Sequence, residues 1–247
     1  MKYCIITLSI GEKYIEMAVN MFKSFKEKTE HCDFVITTME PREYDENDFI
    51  IWKYIHPPFD VKGPGGNFYY NLKSLAFRSV IDLNDNNGNL YDYVVFLDAD
   101  MFMYEKFREE NFLNLFDYME QNDVDMIFER PAKISSHKDN LDRCFFKQKL
   151  THYYADRHTK WDEGYVMNEQ FLIVKYNWKY IFFTIRWEQM LWYSIRHHII
   201  NFAEGFEMGI SALEADMKMV SVEEIKDMVH DIFYFFDHNG KMFIRYQ

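Results

Sequence analysis

Three cysteines, Cys4, Cys32 and Cys144, are too few and too scattered for a disulfide framework, and no Cys-x-x-Cys pair exists to hold zinc. Nowhere does the chain run to the roughly 18 consecutive apolar residues that a bilayer-spanning helix requires. Its first residues pass almost directly into Tyr3-Cys4-Ile5-Ile6-Thr7-Leu8, which leaves no room for the apolar region and cleavage site of a secretory signal. A soluble, cytoplasmic protein is expected, in the host cytoplasm if the chain is viral. Positive charge is scarce as well. Against 40 Asp and Glu stand 28 Lys and Arg, a formal net charge of −12, which excludes electrostatic wrapping of nucleic acid but leaves a small anion holdable through a local metal. Glycine and proline crowd together only at Lys62-Gly63-Pro64-Gly65-Gly66-Asn67. That loop lacks the Gly-x-x-x-x-Gly-Lys-Ser/Thr spacing of a phosphate cradle and reads either as a flap near a substrate or as a plain connection.

What the chain has in quantity is core-forming material: 48% hydrophobic residues and 19% aromatics over 247 residues, ample for a large interior. The first apolar run reads as a strand. After it, Ile15, Ala18, Phe22 and Phe25 recur at helical spacing while Glu16, Lys23, Lys26 and Glu27 fall on other faces. Strands are expected at 33–38 and 49–55, a helix at 70–83, an exposed Asn- and Asp-rich turn at 84–89, and a strand over Tyr93–Leu97. Beyond these the pattern predicts a helix at Glu109–Gln121 and a strand at 124–128. The stretch 131–162 reads as polar and irregular, carries scattered histidines without metal spacing, and is suited to acceptor choice. A strand at 171–174 precedes a long helix at 178–198, whose Trp187, Leu191 and Ile195 form a core stripe. Helices near 209–217 and 222–229 and the run Ile232-Phe233-Tyr234-Phe235-Phe236 complete the chain. Alternating strands and helices predict an α/β fold with a mostly parallel central sheet flanked by helices. No repeat or linker divides it, so residues 1–247 read as one domain.

The most informative local feature is Asp98-Ala99-Asp100 at the end of Tyr93-Val94-Val95-Phe96-Leu97. Strand side chains alternate, so Asp98 and Asp100 would project together, and two carboxylates held that close call for a cation. Oxygen ligands of this kind suit Mg²⁺, Mn²⁺ or Ca²⁺. The alternative is a solvated strand end in which Asp98 caps the following turn.

Several segments in order resemble a known family, the GT-A fold glycosyltransferases of family 8, the group containing glycogenin and the bacterial lipopolysaccharide galactosyltransferases. The resemblance rests on Thr7-Leu8-Ser9-Ile10-Gly11-Glu12-Lys13-Tyr14, on Asn71-Leu72-Lys73, on the Leu97-Asp98-Ala99-Asp100 strand end, on Asn168-Glu169-Gln170, on Glu204-Gly205-Phe206-Glu207-Met208-Gly209 and on Asp237-His238-Asn239-Gly240-Lys241. It implies a single Rossmann-like GT-A domain, with residues 1–103 as the nucleotide-sugar half and 104–247 as the acceptor half. It further implies that Thr7, Leu8, Ser9 and Tyr14 meet the nucleotide of a UDP-sugar donor, although Tyr14 read from the residues alone could equally be a helix-packing ring. Gly11 stands where the family often has Asn. Lys73 would lie near the donor phosphates or sugar, with Arg78 as its competitor. Asp98, Ala99 and Asp100 would form the diphosphate clamp, with Asp98, Asp100 and His238 as ligands of Mn²⁺ or Mg²⁺, His230 as an alternative ligand, and Lys241 on the diphosphate. Gln170 stands where the family prefers a small residue, and Met242-Phe243 where it ends in Pro-Trp. Gln170 and Glu207 are the implied catalytic residues: either could stabilise an oxocarbenium-like face in a retaining reaction, while Glu207 or Glu204 could activate an acceptor hydroxyl in an inverting one. For either Glu, a helix-terminal acid favoured by the dipole is the plain alternative.

The implied activity is metal-dependent transfer of a hexose from a UDP-sugar to a glycan or other hydroxyl acceptor, with retention. Two other readings stay open. One is a catalytically inactive sugar-nucleotide-binding protein of the same fold. The other is a phosphatase of the haloacid dehalogenase type, whose strand also ends in Asp-x-Asp; there a Thr or Val normally follows two residues later, where Phe102 stands here. The residues specify neither sugar, acceptor nor oligomeric state.

Overall fold

Strand alternation sets the layers. In β1 (Tyr3–Leu8), Tyr3 and Ile5 enter one hydrophobic cluster and Cys4 and Ile6 another. In β4 (Tyr93–Leu97), Tyr93, Val95 and Leu97 join the first cluster, Val94 and Phe96 the second. Strands buried on both faces must be apolar throughout, which is why these two read as unbroken hydrophobic runs. The computed structural model describes residues 1–40, 49–56, 72–87, 90–103, 107–133, 164–196, 204–229, 233–236 and 242–243.

Around β1 and β4 stand β2 (Cys32–Thr38), β3 (Ile50–Tyr54), β6 (Met126–Lys133), β7 (Tyr165–Lys175) and β8 (Met219–Ser221), in the order β3-β2-β1-β4-β7-β6-β8. Neighbours are parallel except at β7, which runs antiparallel to both β4 and β6. The mostly parallel α/β sheet expected from the sequence is therefore the architecture observed. A smaller sheet joins β5 (Phe102–Met103), β9 (Phe233–Phe236) and β10 (Met242–Phe243) in the order β10-β9-β5.

Helices cover both faces. On one side, α1 (Glu12–Lys26) buries Ile15, Ala18, Phe22 and Phe25, and α3 (Glu109–Gln121) buries Phe112, Leu115, Phe116 and Met119. On the other lie α2 (Lys73–Asn87), α4 (Trp178–Arg196) and α5 (Glu204–Glu214). There Phe77 of α2 stacks on Phe96 of β4 at 5.5 Å between ring centroids and meets Trp187 of α4, also at 5.5 Å. Trp187 and Leu191 are fully buried, as the helical stripe predicts. A short 3₁₀ turn (Val222–Ile225) leads into α6 (Lys226–Val229). Among the described residues no helix is long and apolar enough to cross a membrane.

Several expectations are corrected, among them the strand placed at 124–128, which runs over Met126–Lys133 and takes in the first residues of the stretch read as irregular. The turn placed at 84–89 is helix as far as Asn87: Leu83 and Asn84 are buried, and the Asn84 Oδ1 accepts the Leu90 N–H at 3.0 Å, so the amide anchors the helix end instead of breaking the helix. The strand placed at 171–174 begins six residues earlier, at Tyr165, because its polar half is paired with β6. The helix placed at 209–217 starts at Glu204 and stops at Glu214.

Two polar hubs tie the layers together. Glu109, the first residue of α3, accepts the Tyr3 hydroxyl (3.0 Å) and the backbone N–H groups of Glu30 (2.9 Å) and His31 (3.0 Å). Asp125, just before β6, accepts Lys179 Nζ of α4 (2.7 Å), Asn177 Nδ2 (3.1 Å) and the Lys218 N–H (2.9 Å). Burial pulls the Glu109 carboxyl upward, but the amide donors of Glu30 and His31 and the Tyr3 hydroxyl outweigh it and hold the group below the usual glutamate range.

A carboxylate depressed in the folded state contributes stability that is fully present above its unfolded pKa and lost as pH falls through the folded one. Replacing Glu109 with Gln should accordingly cost about 2 kcal/mol at pH 7 and clearly less near pH 3.5, as read by urea unfolding at both pH values; equal losses would contradict the assignment. Gly209 in α5 makes the opposite of the usual helix prediction. A Cβ there would lie 1.7 Å from the Tyr165 carbonyl oxygen, so the glycine lets α5 sit against the start of β7. Gly209→Ala, ordinarily stabilising inside a helix by about 1 kcal/mol, should instead destabilise by at least about 2 kcal/mol, and a stabilised variant would overturn this packing.

Candidate active site

The chain passes from β1 outward to β2 and β3, then crosses by α2 to β4 on the opposite side of β1. Strand order thus turns back between β1 and β4, which are parallel and end side by side. In open α/β sheets the crevice beyond the carboxyl ends at such a point is where ligands bind. Thr7 and Ser9 stand at the β1 edge of this crevice, both fully buried. Neither Thr7 Oγ1 nor Ser9 Oγ has a hydrogen-bond partner among the described residues, which is costly for a buried hydroxyl that no ligand satisfies. The Ser9 N–H donates to the Thr37 carbonyl (2.9 Å), fixing this edge to β2. Leu8 between them is partly buried and packs on both Leu191 and α2 clusters.

The following turn is shaped by Gly11, whose φ of +90° suits glycine, while no atom lies within 4 Å of where its Cβ would be. Its N–H is held by both carboxylate oxygens of Glu40, at 3.0 and 3.1 Å, just beyond β2. This places an acid at the N-terminal end of α1, where the dipole favours it. Tyr14 packs against the α1 and α3 core while staying half-buried, with Lys13 Nζ 5.8 Å from its ring centroid.

The acid pair does not continue the strand. β4 stops at Leu97, and the Met101 N–H donates to the Asp98 carbonyl (3.1 Å), closing a turn over 98–101. Alternation along an extended strand is therefore not what arranges the two acids. Burial does it: Ala99 and Met101 enter the core on the α1 and α3 side, which leaves Asp98 and Asp100 partly exposed. The Asp98 N–H also donates to the Gln170 carbonyl (3.1 Å), so β7 braces the turn.

Lys73, the first residue of α2, reaches the same spot. Its Nζ lies 2.8 Å from Asp98 Oδ1, with side-chain exposures of 11% and 20%, and 5.6 Å from the Phe96 ring centroid. Arg78, the competing basic residue, pairs instead with Asp82 one turn on (3.6 Å). Next to Lys73, Ser74 is fully buried and its Oγ has no partner among the described residues. Sequence reasoning passed over Ser74; its place one residue after Lys73 was the available signal.

Gln170 sits where the ladder slips. Phe128 of β6 faces Leu172, but the next residue, Glu129, faces Asn168, so three residues of β7 are extra there. Such irregularities re-aim strands beside functional sites. The implied partner Glu207 lies in α5 and is only 1% exposed. Glu204 opens the same helix; its side chain is outside the described residues, as are Asn71, His230, His238 and Lys241 and nearly all of 131–162. The backbone nonetheless brings the C-terminal segment back to the acids. Phe102 pairs with Tyr234 and Met103 with Phe233, so β9 advances toward the 98–101 turn as β5 leaves it, and His238 follows its last residue by two positions.

Two hard oxygen donors fit Mg²⁺ or Mn²⁺ binding completed by phosphate oxygens and water. Among the described residues no group of three His, Cys, Asp or Glu side chains gathers. The pair by itself would therefore need such additional ligands.

No protein-family model matches the chain, and no curated protein does. Solved structures similar to it include the galactosyltransferase LgtC in complex with donor and acceptor sugar analogues, at 11% identity and a TM-score of 0.47, covering 88% of this chain and 72% of that one. Another is the glycosyltransferase GlyE of Streptococcus pneumoniae, at 14% identity and a TM-score of 0.48, covering 92% of this chain and 46% of that one. A third, S. aureus TarS residues 1–349 with UDP-GlcNAc, matches at 11% identity and a TM-score of 0.33 over 53% of this chain and 35% of that one. Two of the three, LgtC and GlyE, are glycosyltransferases.

Proposed function

We propose that the chain is a metal-dependent glycosyltransferase that moves a hexose from a UDP-sugar to an acceptor hydroxyl, with retention. The observation that carries this reading is the juxtaposition, at the β1–β4 switch point, of the 98–101 acid turn with the buried Lys73 ammonium 2.8 Å from Asp98. Carboxylates that can hold a divalent ion, a lysine that can meet phosphate and hydroxyls in need of partners suit a sugar nucleotide diphosphate better than a neutral ligand. Mn²⁺ or Mg²⁺, when bound, would neutralise the charge that builds on the departing diphosphate.

Each residue then has a task. Asp98 and Asp100 hold the ion, with His238 as third ligand. Lys73 and Lys241 hold phosphate oxygens. Thr7, Leu8, Ser9 and Tyr14 line the nucleotide end, where Thr7 and Ser9 supply hydroxyls. Ala99 anchors the acid turn in the core. Gln170, half-buried and with its backbone carbonyl on the Asp98 N–H, would stabilise the reacting face of the sugar, and Glu207, buried in α5, suits that task better than acting as a base on an acceptor. The donor half is 1–103 and the acceptor half 104–247, with 131–162 deciding the acceptor.

Calorimetric titration with UDP, with and without Mn²⁺, tests the donor site. UDP should bind only with the metal, and Asp100→Ala should weaken it at least tenfold, about 1.4 kcal/mol; metal-independent binding untouched by that substitution would sink the assignment. For the chemistry, Gln170→Ala should lower the rate of UDP-sugar hydrolysis by about a hundredfold while leaving UDP affinity within about twofold. Loss of UDP affinity instead would make Gln170 a binding residue.

A further inference from the structure

We propose that Lys73 is a built-in counter-cation that keeps Asp98 closed to a free divalent ion until a diphosphate arrives, so that metal and nucleotide bind together and not one after the other. The inference rests on the reading of the site as a metal-dependent sugar-nucleotide site. Its basis is geometric. The Lys73 ammonium touches Asp98 Oδ1 at 2.8 Å and is 11% exposed, so it holds the carboxylate from the inner side of the crevice. It cannot readily withdraw with its helix. The first turns of α2 are fixed by Leu72 and Leu75 packing with Leu191, and by Phe77 stacked on Phe96 and against Trp187. Only the lysine side chain is left to move.

A divalent ion approaching Asp98 alone meets an ammonium within 3 Å of the same carboxylate, and like charges at that distance repel strongly in a partly buried site. A diphosphate removes the obstacle. Its oxygens accept the lysine, whose three rotatable N–H donors form a mobile point charge, and the freed carboxylate turns to the metal. Asp98 exchanges one cation for another while Lys73 exchanges one anion for another, so charge stays balanced throughout. Lys73 is accordingly a positioning residue that couples the two ligands, and by thermodynamic reciprocity each ligand must tighten the other.

The test follows bound Mn²⁺ by electron paramagnetic resonance, with and without saturating UDP, in wild type, Lys73→Met and Lys73→Arg. Wild type should bind Mn²⁺ alone at least tenfold more weakly than in the presence of UDP. Lys73→Met should bind Mn²⁺ alone at least tenfold more tightly than wild type and show a much smaller gain from UDP, whereas Lys73→Arg should keep the wild-type pattern. Should a melting curve show that Lys73→Met fails to fold, Lys73→Gln carries the same expectation. Wild type that binds Mn²⁺ with UDP, next to a lysine-deleted variant that binds Mn²⁺ alone no better, would overturn this inference and leave the site reading standing. Wild type that takes up Mn²⁺ under neither condition would overturn both.

Discussion

Everything at the candidate site depends on β1 and β4 lying side by side and parallel while the chain leaves them in opposite directions across the sheet. That arrangement forces two strand ends to open at one place. It needs both strands buried on both faces, which commits their residues to being apolar until the point where they emerge. Polar groups then appear abruptly: Thr7 and Ser9 at one edge, Asp98 and Asp100 at the other. The site is thus a by-product of the core, and the rigidity of the core is what would hold its groups in place.

Around that junction the other layers act as braces. β7, the one antiparallel strand of the large sheet, supplies through Gln170 the carbonyl that receives the Asp98 N–H. α2 supplies Lys73 from its first residue, and its aromatic contacts to β4 and α4 fix where that residue begins. α5 lies on β7 because Gly209 permits close approach. Farther away, Glu109 and Asp125 join strands, helices and loops through several hydrogen bonds each.

Much of this was legible in the sequence where burial is continuous. β1, β4 and α3 begin and end where the apolar pattern says, since those boundaries coincide with abrupt changes in exposure. The two-residue β5 and three-residue β8 carry too little pattern to be seen; they exist because a partner strand is present to pair with them. Asn84 read as a turn residue by its chemistry, and only the fold gives its amide the Leu90 N–H to hold. The acid pair was found for a reason that the backbone modifies: a hydrogen-bonded turn with Ala99 and Met101 tucked inward, instead of strand alternation, leaves both acids partly exposed. For Lys73 and Asp98 the resemblance implied nearness to one ligand but not their ion pair, because the partners are 25 residues apart and meet only through the crossover from β3 to β4.

The central claim is that the crevice between β1 and β4 clamps a metal-bound nucleoside diphosphate. Diffraction from crystals of the protein with UDP and Mn²⁺, using anomalous scattering at the manganese edge, tests it most directly. The account predicts one manganese peak about 2.2 Å from carboxylate oxygens of Asp98 and Asp100, with the diphosphate against it and Lys73 turned from Asp98 onto a phosphate oxygen. A manganese peak and nucleotide bound away from this crevice, with Lys73 still on Asp98, would contradict it.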